Sequence, residues 1–162
     1  MLQDTDISFN VLAADEFQHA THNFPIMYIV NTDDSTKSGT HWIFVYGLGK
    51  DHWECFDSFG SNKCSKTSKF KFMCNRKIFV QNLRPVQSPN SNVCGQFCLY
   101  FAHCRSKGLS FEQTCAQFGF RKRHNDNIVT SFVNGLSFDK RPIKKCQNQN
   151  CKTMKEYFKV HE

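Results

Sequence analysis

Cys94 is followed at once by Gly95 and stands where a well-patterned helix should begin. A helix start gathers unpaired N–H groups and the positive end of the dipole, which pull a thiol toward its nucleophilic thiolate. Gly95 adds room for a substrate to approach the backbone. A nucleophilic thiol needs a base, and the base needs a partner that fixes its tautomer. His41 opens one expected strand and Asp57 closes the next, so a short turn between them could bring imidazole and carboxylate to one end of a sheet. Gln87 lies just ahead of the loop that leads into the Cys94 helix. Its side-chain amide and the Cys94 backbone N–H could together face a developing oxyanion. Each residue also has a plainer reading: Cys94 as one more small core residue, His41 as a lead into a core strand, Asp57 as a turn cap.

The elements that must hold these residues are legible in outline. Residues 1–10 read as an extended lead-in, and 14–17 (ADEF) as a short helix start with acids near its positive end. Residues 25–31 (PIMYIVN) form a short apolar run of β-formers, a buried strand. A polar turn-rich loop over 32–39 separates it from 41–46 (HWIFVY), apolar on both faces and so a central strand. A turn over 47–51 leads to a third strand at 52–56, and 77–80 reads as another. After a loop at 87–92, Val93, Phe97 and Phe101 recur at i, i+4 and i+8 with Cys94, Cys98 and Tyr100 beside them, which predicts a helix over 92–107. Ser91 or Asn92 is the expected cap and Gly108 the stop. Further helices are expected over 110–118 and 126–134, with a short one at 154–160.

Length and composition narrow the class. The 162 residues make one domain, 1–162, and 17 Phe within 40% hydrophobic residues exclude a disordered chain. No apolar run nears the roughly 18 residues of a membrane span, and MLQDTDISFN lacks the pattern of a secretory leader. An odd nine cysteines fits poorly with a disulfide framework, so an intracellular location with free thiols is expected. There is no C-x-x-C, and the intervals among Cys55, Cys64, Cys74, Cys146 and Cys151 match no common zinc pattern, so no metal is expected. Nucleotide-cradling glycine motifs are absent too.

The net charge of +7 is unevenly spread. Residues 1–62 carry nine acids and two bases, whereas 63–162 carry 19 bases and five acids. Lys63, Lys66, Lys69, Lys71, Arg76 and Lys77 occupy a stretch, 61–77, with no acid. Phe70 and Phe72 alternate with lysines there, the pattern of an edge strand or an exposed basic element. The asymmetry suits either a polyanion partner or a merely patchy surface.

Three segments resemble the adenovirus-type cysteine endopeptidase (adenain) family and its relatives in Maverick/Polinton-type mobile elements. Ile29-Val30-Asn31-Thr32 followed by Ser38-Gly39-Thr40-His41-Trp42 is similar to the family's NT…GxHW block, and Cys55-Phe56-Asp57-Ser58-Phe59-Gly60 to its F-acid-x-FG block. Val86-Gln87-Ser88-Pro89-Asn90-Ser91-Asn92-Val93-Cys94-Gly95-Gln96-Phe97-Cys98 is similar to VQGPxSxxCGxFC nearly throughout, with the seven-residue Gln-to-Cys separation of the family. Order and spacing cover about residues 11–137. The resemblance implies an α+β, papain-related fold with a mixed or antiparallel sheet packed on a central helix that starts at the nucleophile. By position it makes Cys94 the nucleophile, His41 the general base, Asp57 the group that orients it and Gln87 the oxyanion donor.

The resemblance further implies protein or peptide substrates cleaved at small residues, usually Gly, in a narrow groove beside Trp42 and Gly95. Capsid-like precursors of a virus or mobile element would be such substrates. No cofactor is needed for this chemistry, and a monomer with no membrane association is expected. The family is stimulated by DNA, for which the basic stretch supplies a candidate surface. Its activating peptide pairs with a cysteine between the acid and the Gln. Cys74 lies two residues off that register, so peptide activation is not expected. The competing readings are a protease for SUMO- or ubiquitin-like modifiers of the same clan, and a basic nucleic-acid-binding protein without activity.

Overall fold

Two aromatic-rich layers sandwich one mixed sheet, and the strand sequences require it. In the computed structural model, residues 8–60 and 68–136 are described. The sheet has five strands in chain order: β1 (Ser8–Ala13), β2 (Ile26–Asn31), β3 (Trp42–Gly49), β4 (His52–Phe56) and β5 (Ile78–Gln81). β3 pairs antiparallel with both β2 and β4, while β1 and β5 add in parallel at the edges. All six residues of β2 are buried, as its unbroken apolar run demands. Side chains alternate across the sheet: Met27, Ile29, Phe44, Tyr46 and Phe56 face one core, whereas Ile26, Tyr28, Val30, Ile43, Val45 and Trp53 face the other.

The first core is closed by α3 (Cys94–Ser106), which inserts Phe97, Cys98 and Phe101 fully buried against the sheet. Phe101 stacks on Phe56 with ring centroids 4.2 Å apart. Truncating such a side chain costs about 3–5 kcal/mol. α4 (Phe111–Cys115) and α5 (Lys122–Gly135) complete this layer through Phe111 and Val129. The second core is closed by α1 (Ala14–Gln18), a turn of 3-10 helix (Ser68–Phe70) and α2 (Lys71–Cys74), which contribute Phe17, Phe70 and Met73. α3 is buried nearly all round, as befits a helix enclosed between a sheet and two further helices. The α+β class and the helix that starts at Cys94 agree with expectation.

Several local readings are corrected. The lead-in contains a paired strand, β1, whose parallel partner β2 supplies the pairing that its own sequence does not advertise. The described part of 61–77 is helical rather than an edge strand: Phe70 and Met73, three residues apart, share one helical face and fill the second core. α3 has Val93 at its N-cap with no side-chain cap, so neither Ser91 nor Asn92 caps it. Ser91 instead donates its hydroxyl to the Ser88 carbonyl within the preceding loop. α5 begins at Lys122, four residues earlier than its apolar pattern. Gly108, at φ +85°, ends α3 as expected. Cys55 is disulfide-bonded, contrary to the free-thiol expectation. The expected helix at 154–160 also lies outside the described residues.

Candidate active site

His41 is delivered by a loop that is fastened at both ends. Thr32 N–H donates to the His41 carbonyl at 2.9 Å, and the Asp33 carboxylate accepts from Thr40 N–H at 2.9 Å and from its hydroxyl at 2.7 Å. Gly39, at φ +82°, lies so close to the Asn31 amide that a Cβ there would overlap it. Those constraints set His41 at the start of β3, beside the end of β2.

Asp57 follows the last residue of β4 and begins a tight turn closed by Gly60 N–H donating to the Asp57 carbonyl at 2.8 Å. Asn82, just beyond β5, grips that turn from the side. Its Oδ1 accepts from Asp57 N–H at 2.8 Å and its Nδ2 donates to the Asp57 carbonyl at 2.7 Å. Gly60 has φ +59°, and a Cβ there would meet the Leu83 carbonyl oxygen and Pro85 nitrogen at 2.5 Å. Only glycine allows the segment 83–85 to cross so closely.

His41 Nε2 lies 2.8 Å from Asp57 Oδ1, and both residues are buried, 3% and 2% exposed. Asp57 Oδ1 also accepts from Phe59 N–H at 2.9 Å. The other ring nitrogen, Nδ1, is buried and meets no partner at strict hydrogen-bond geometry, yet the Cys94 thiol interacts with the ring. Burial opposes a charge on His41, but the bonds to Asp57 and then Cys94 outweigh it and hold the imidazole pKa at about 9. For Cys94, burial pushes the thiol up, and it is more than offset by His41, by the Trp42 backbone N–H and by the Gly95 backbone N–H, so the thiol pKa is lowered. Both shifts run in the direction of a thiolate–imidazolium pair. Cys98, one turn further into the core, is pushed strongly upward by burial and by Cys94 and stays a thiol.

Gln87 is buried, and its amide is committed on both sides. Ser58 donates its hydroxyl to Gln87 Oε1 at 2.6 Å, and Gln87 Nε2 donates to the Ser91 carbonyl at 2.7 Å. The Ser58 carbonyl accepts from the N–H groups of Val86 and Gln87, at 2.8 and 3.0 Å. From the far side, Asn125 Nδ2 donates to the Val86 carbonyl at 2.9 Å and Asp126 Oδ1 accepts from Ser88 N–H at 3.2 Å. These contacts accompany the early start of α5: Asn125 and Asp126, one before and one at the expected start of the helix, turn inward to hold the Gln87 loop. Ser58, Asn82, Asn125 and Asp126 were not singled out by sequence. The only hint was the place of Ser58 in the Asp57-to-Gly60 block.

The remaining candidates divide. Trp42 contributes its backbone N–H to Cys94, while its half-buried ring packs against the helix-side core. Gly95 is buried beside the thiol. Of the basic stretch, Lys69 pairs with Asp34, Arg76 is half-buried, and Lys71 and Lys77 are exposed. Lys63 and Lys66 lie outside the described residues. No described helix is long and apolar enough to cross a membrane.

No family model matches the chain. A protease of Bovine adenovirus C serotype 10 is 29% identical over 89 aligned positions, covering 46% of this chain. The match spans 45% of that relative, less than half its length. Among solved structures, the ASFV pS273R protease aligns with a TM-score of 0.41 and 17% identity, over 64% of this chain and 42% of its own. Over the 46% of its length that the sequence match covers, the chain resembles an adenovirus protease.

Proposed function

We propose that this protein is a cysteine endopeptidase in which Cys94 attacks, His41 transfers the proton, Asp57 orients and stabilises the imidazolium, and Gln87 receives the oxyanion. The supporting observation is the alignment of a lowered-pKa thiol, an imidazole near pKa 9 and a buried carboxylate 2.8 Å from that imidazole. The thiolate adds to the peptide carbonyl, and the negative charge passes to the carbonyl oxygen. That oxygen is met by the Gln87 side-chain N–H and the Cys94 backbone N–H. As the C–N bond breaks, His41 gives its proton to the departing amine and a thioester remains on Cys94. His41 then takes a proton from water, which attacks the thioester, and the acid product leaves with the thiolate restored. The chemistry requires no metal or cofactor.

The substrates in this reading are proteins cut at small residues, Gly foremost, in a groove bordered by Trp42 and Gly95. Capsid-like precursors of a virus or mobile element, processed inside the host cell by a monomeric enzyme, fit that preference. Duplex DNA is proposed as a stimulator acting through exposed bases such as Lys71 and Lys77.

The test is peptide cleavage joined to labelling. Cys94→Ala should abolish cleavage of Gly-containing peptides without unfolding the chain, and iodoacetamide should modify Cys94 before any other cysteine. Equal labelling of the accessible cysteines with no cleavage would overturn the proposal. Cleavage that does not respond to duplex DNA between about 50 and 200 mM salt would remove the DNA component alone.

A further inference from the structure

We infer that Ser58 is a positioning residue that locks the Gln87 amide in the orientation an oxyanion donor requires; this rests on the proposed role of Gln87. A primary amide has two faces that differ only in which end accepts and which donates. If Gln87 were turned over, its oxygen would face the Ser91 carbonyl, two acceptors in contact, and its nitrogen would face Ser58. The structure fixes the alternative. Ser91 O takes one hydrogen of Nε2, the Ser58 hydroxyl satisfies Oε1 at 2.6 Å, and the second Nε2 hydrogen is left for a substrate. Ser58 and Gln87 are both buried, 0% and 1% exposed, so no solvent competes for these bonds.

The serine is itself immobilised. It directly follows Asp57, and its carbonyl accepts from the N–H groups of Val86 and Gln87. One residue therefore binds Gln87 through both its side chain and its main chain. Its neighbour meanwhile holds His41. Losing the hydroxyl leaves the main-chain bonds and the Nε2 bond to the Ser91 carbonyl intact but strips Oε1 of its partner, so the amide is held at one end only and its orientation loosens. The Ser58 hydroxyl is committed to Gln87 Oε1, so its effect belongs to oxyanion stabilisation and leaves thiolate formation alone.

Ser58→Ala and Gln87→Ala, singly and together, test the lock on a Gly-containing fluorogenic peptide. Gln87→Ala should lower kcat by about 100–1,000-fold, the usual effect of removing one oxyanion donor. Ser58→Ala should lower kcat by about 10-fold with KM nearly unchanged, and the double variant should be no worse than Gln87→Ala alone. Alkylation of Cys94 by iodoacetamide, which builds no oxyanion, should keep its wild-type rate in Ser58→Ala. A second readout needs no activity: exchange of the Gln87 side-chain amide protons, followed by NMR, should be about 10-fold faster in Ser58→Ala. A wild-type kcat and unchanged amide exchange in Ser58→Ala, or additive losses in the double variant, overturn the lock. Failure of the wild-type chain to cleave any peptide would overturn the peptidase reading, and the exchange measurement would still decide whether Ser58 holds Gln87.

Discussion

Replacing Asp57 with Asn isolates the contribution of one negative charge, because an amide oxygen can still occupy the position that accepts from Phe59 N–H. The imidazole pKa of about 9 lies well above its ordinary 6.5 despite burial that pushes it down. The difference corresponds to about 3 kcal/mol favouring the charged ring, shared between Asp57 and Cys94. Without the carboxylate, burial regains the upper hand and the His41 pKa should fall to about 7 or below. That is a loss of about 2.7 kcal/mol, or about 100-fold in the preference for imidazolium over imidazole. His41 is charged in its stabilised form, so its contribution to folding is complete below about pH 6.5 and disappears as pH rises through about 9. The stability gap between wild type and Asp57→Asn should therefore be widest below pH 6.5 and close by pH 9. NMR titration of the His41 ring gives the pKa directly, and denaturant unfolding between pH 6 and 9.5 gives the gap. A His41 midpoint still near 9 in Asp57→Asn would refute the assignment of the shift to the carboxylate.

Two further substitutions probe what holds the site. Gly60→Ala forces a left-handed backbone on alanine and drives its Cβ to 2.5 Å from the Leu83 carbonyl and Pro85 nitrogen. The backbone strain alone costs about 1–2 kcal/mol, and activity should fall further than that because Asp57 and Gln87 both move; thermal unfolding beside peptide cleavage measures each. Arg105→Ala strips the buried Glu54 of a two-pronged partner, at 2.8 and 2.9 Å, that ties α3 to β4. It should cost about 3–5 kcal/mol in urea unfolding, and recovery of stability on adding Glu54→Leu would identify the orphaned carboxylate as the cause.

Much of the frame was legible because it rests on local pattern. β2 and β4 announce themselves by composition, and the Phe97-to-Phe101 spacing fixes the buried face of α3. His41, Asp57 and Cys94 could be nominated from their places at element ends, and the structure brings these three together. What sequence did not display depends on partners remote along the chain. β1 exists through its pairing with β2, and the helical turn at 68–74 is decided by the burial of Phe70 and Met73 rather than by the surrounding lysines. Asn82, Asn125 and Asp126 carry no sign of a structural role in the sequence until their bonds to segments 25 to 39 residues away are seen. Trp42 lies beside the thiol through its backbone while its ring packs into the core, a division of labour that residue type alone cannot reveal.

The back-to-back bonding of Ser58 with Val86 and Gln87 makes the intervening chain a closed excursion: it leaves the site at Gly60 and returns at Leu83 with both ends tied down. Asn82 fastens the returning end to the Asp57 turn a second time. Changes of length at 75–77, the turn between α2 and β5, are thereby insulated from the reacting groups, and the entropic charge for each doubling of a flexible loop is only about 0.6 kcal/mol. That turn, unlike the core-filling segment 68–74, is where a recognition surface can be inserted or lengthened while the catalytic geometry stays as it is. Diversification of partners and preservation of chemistry are thus assigned to different parts of one short chain.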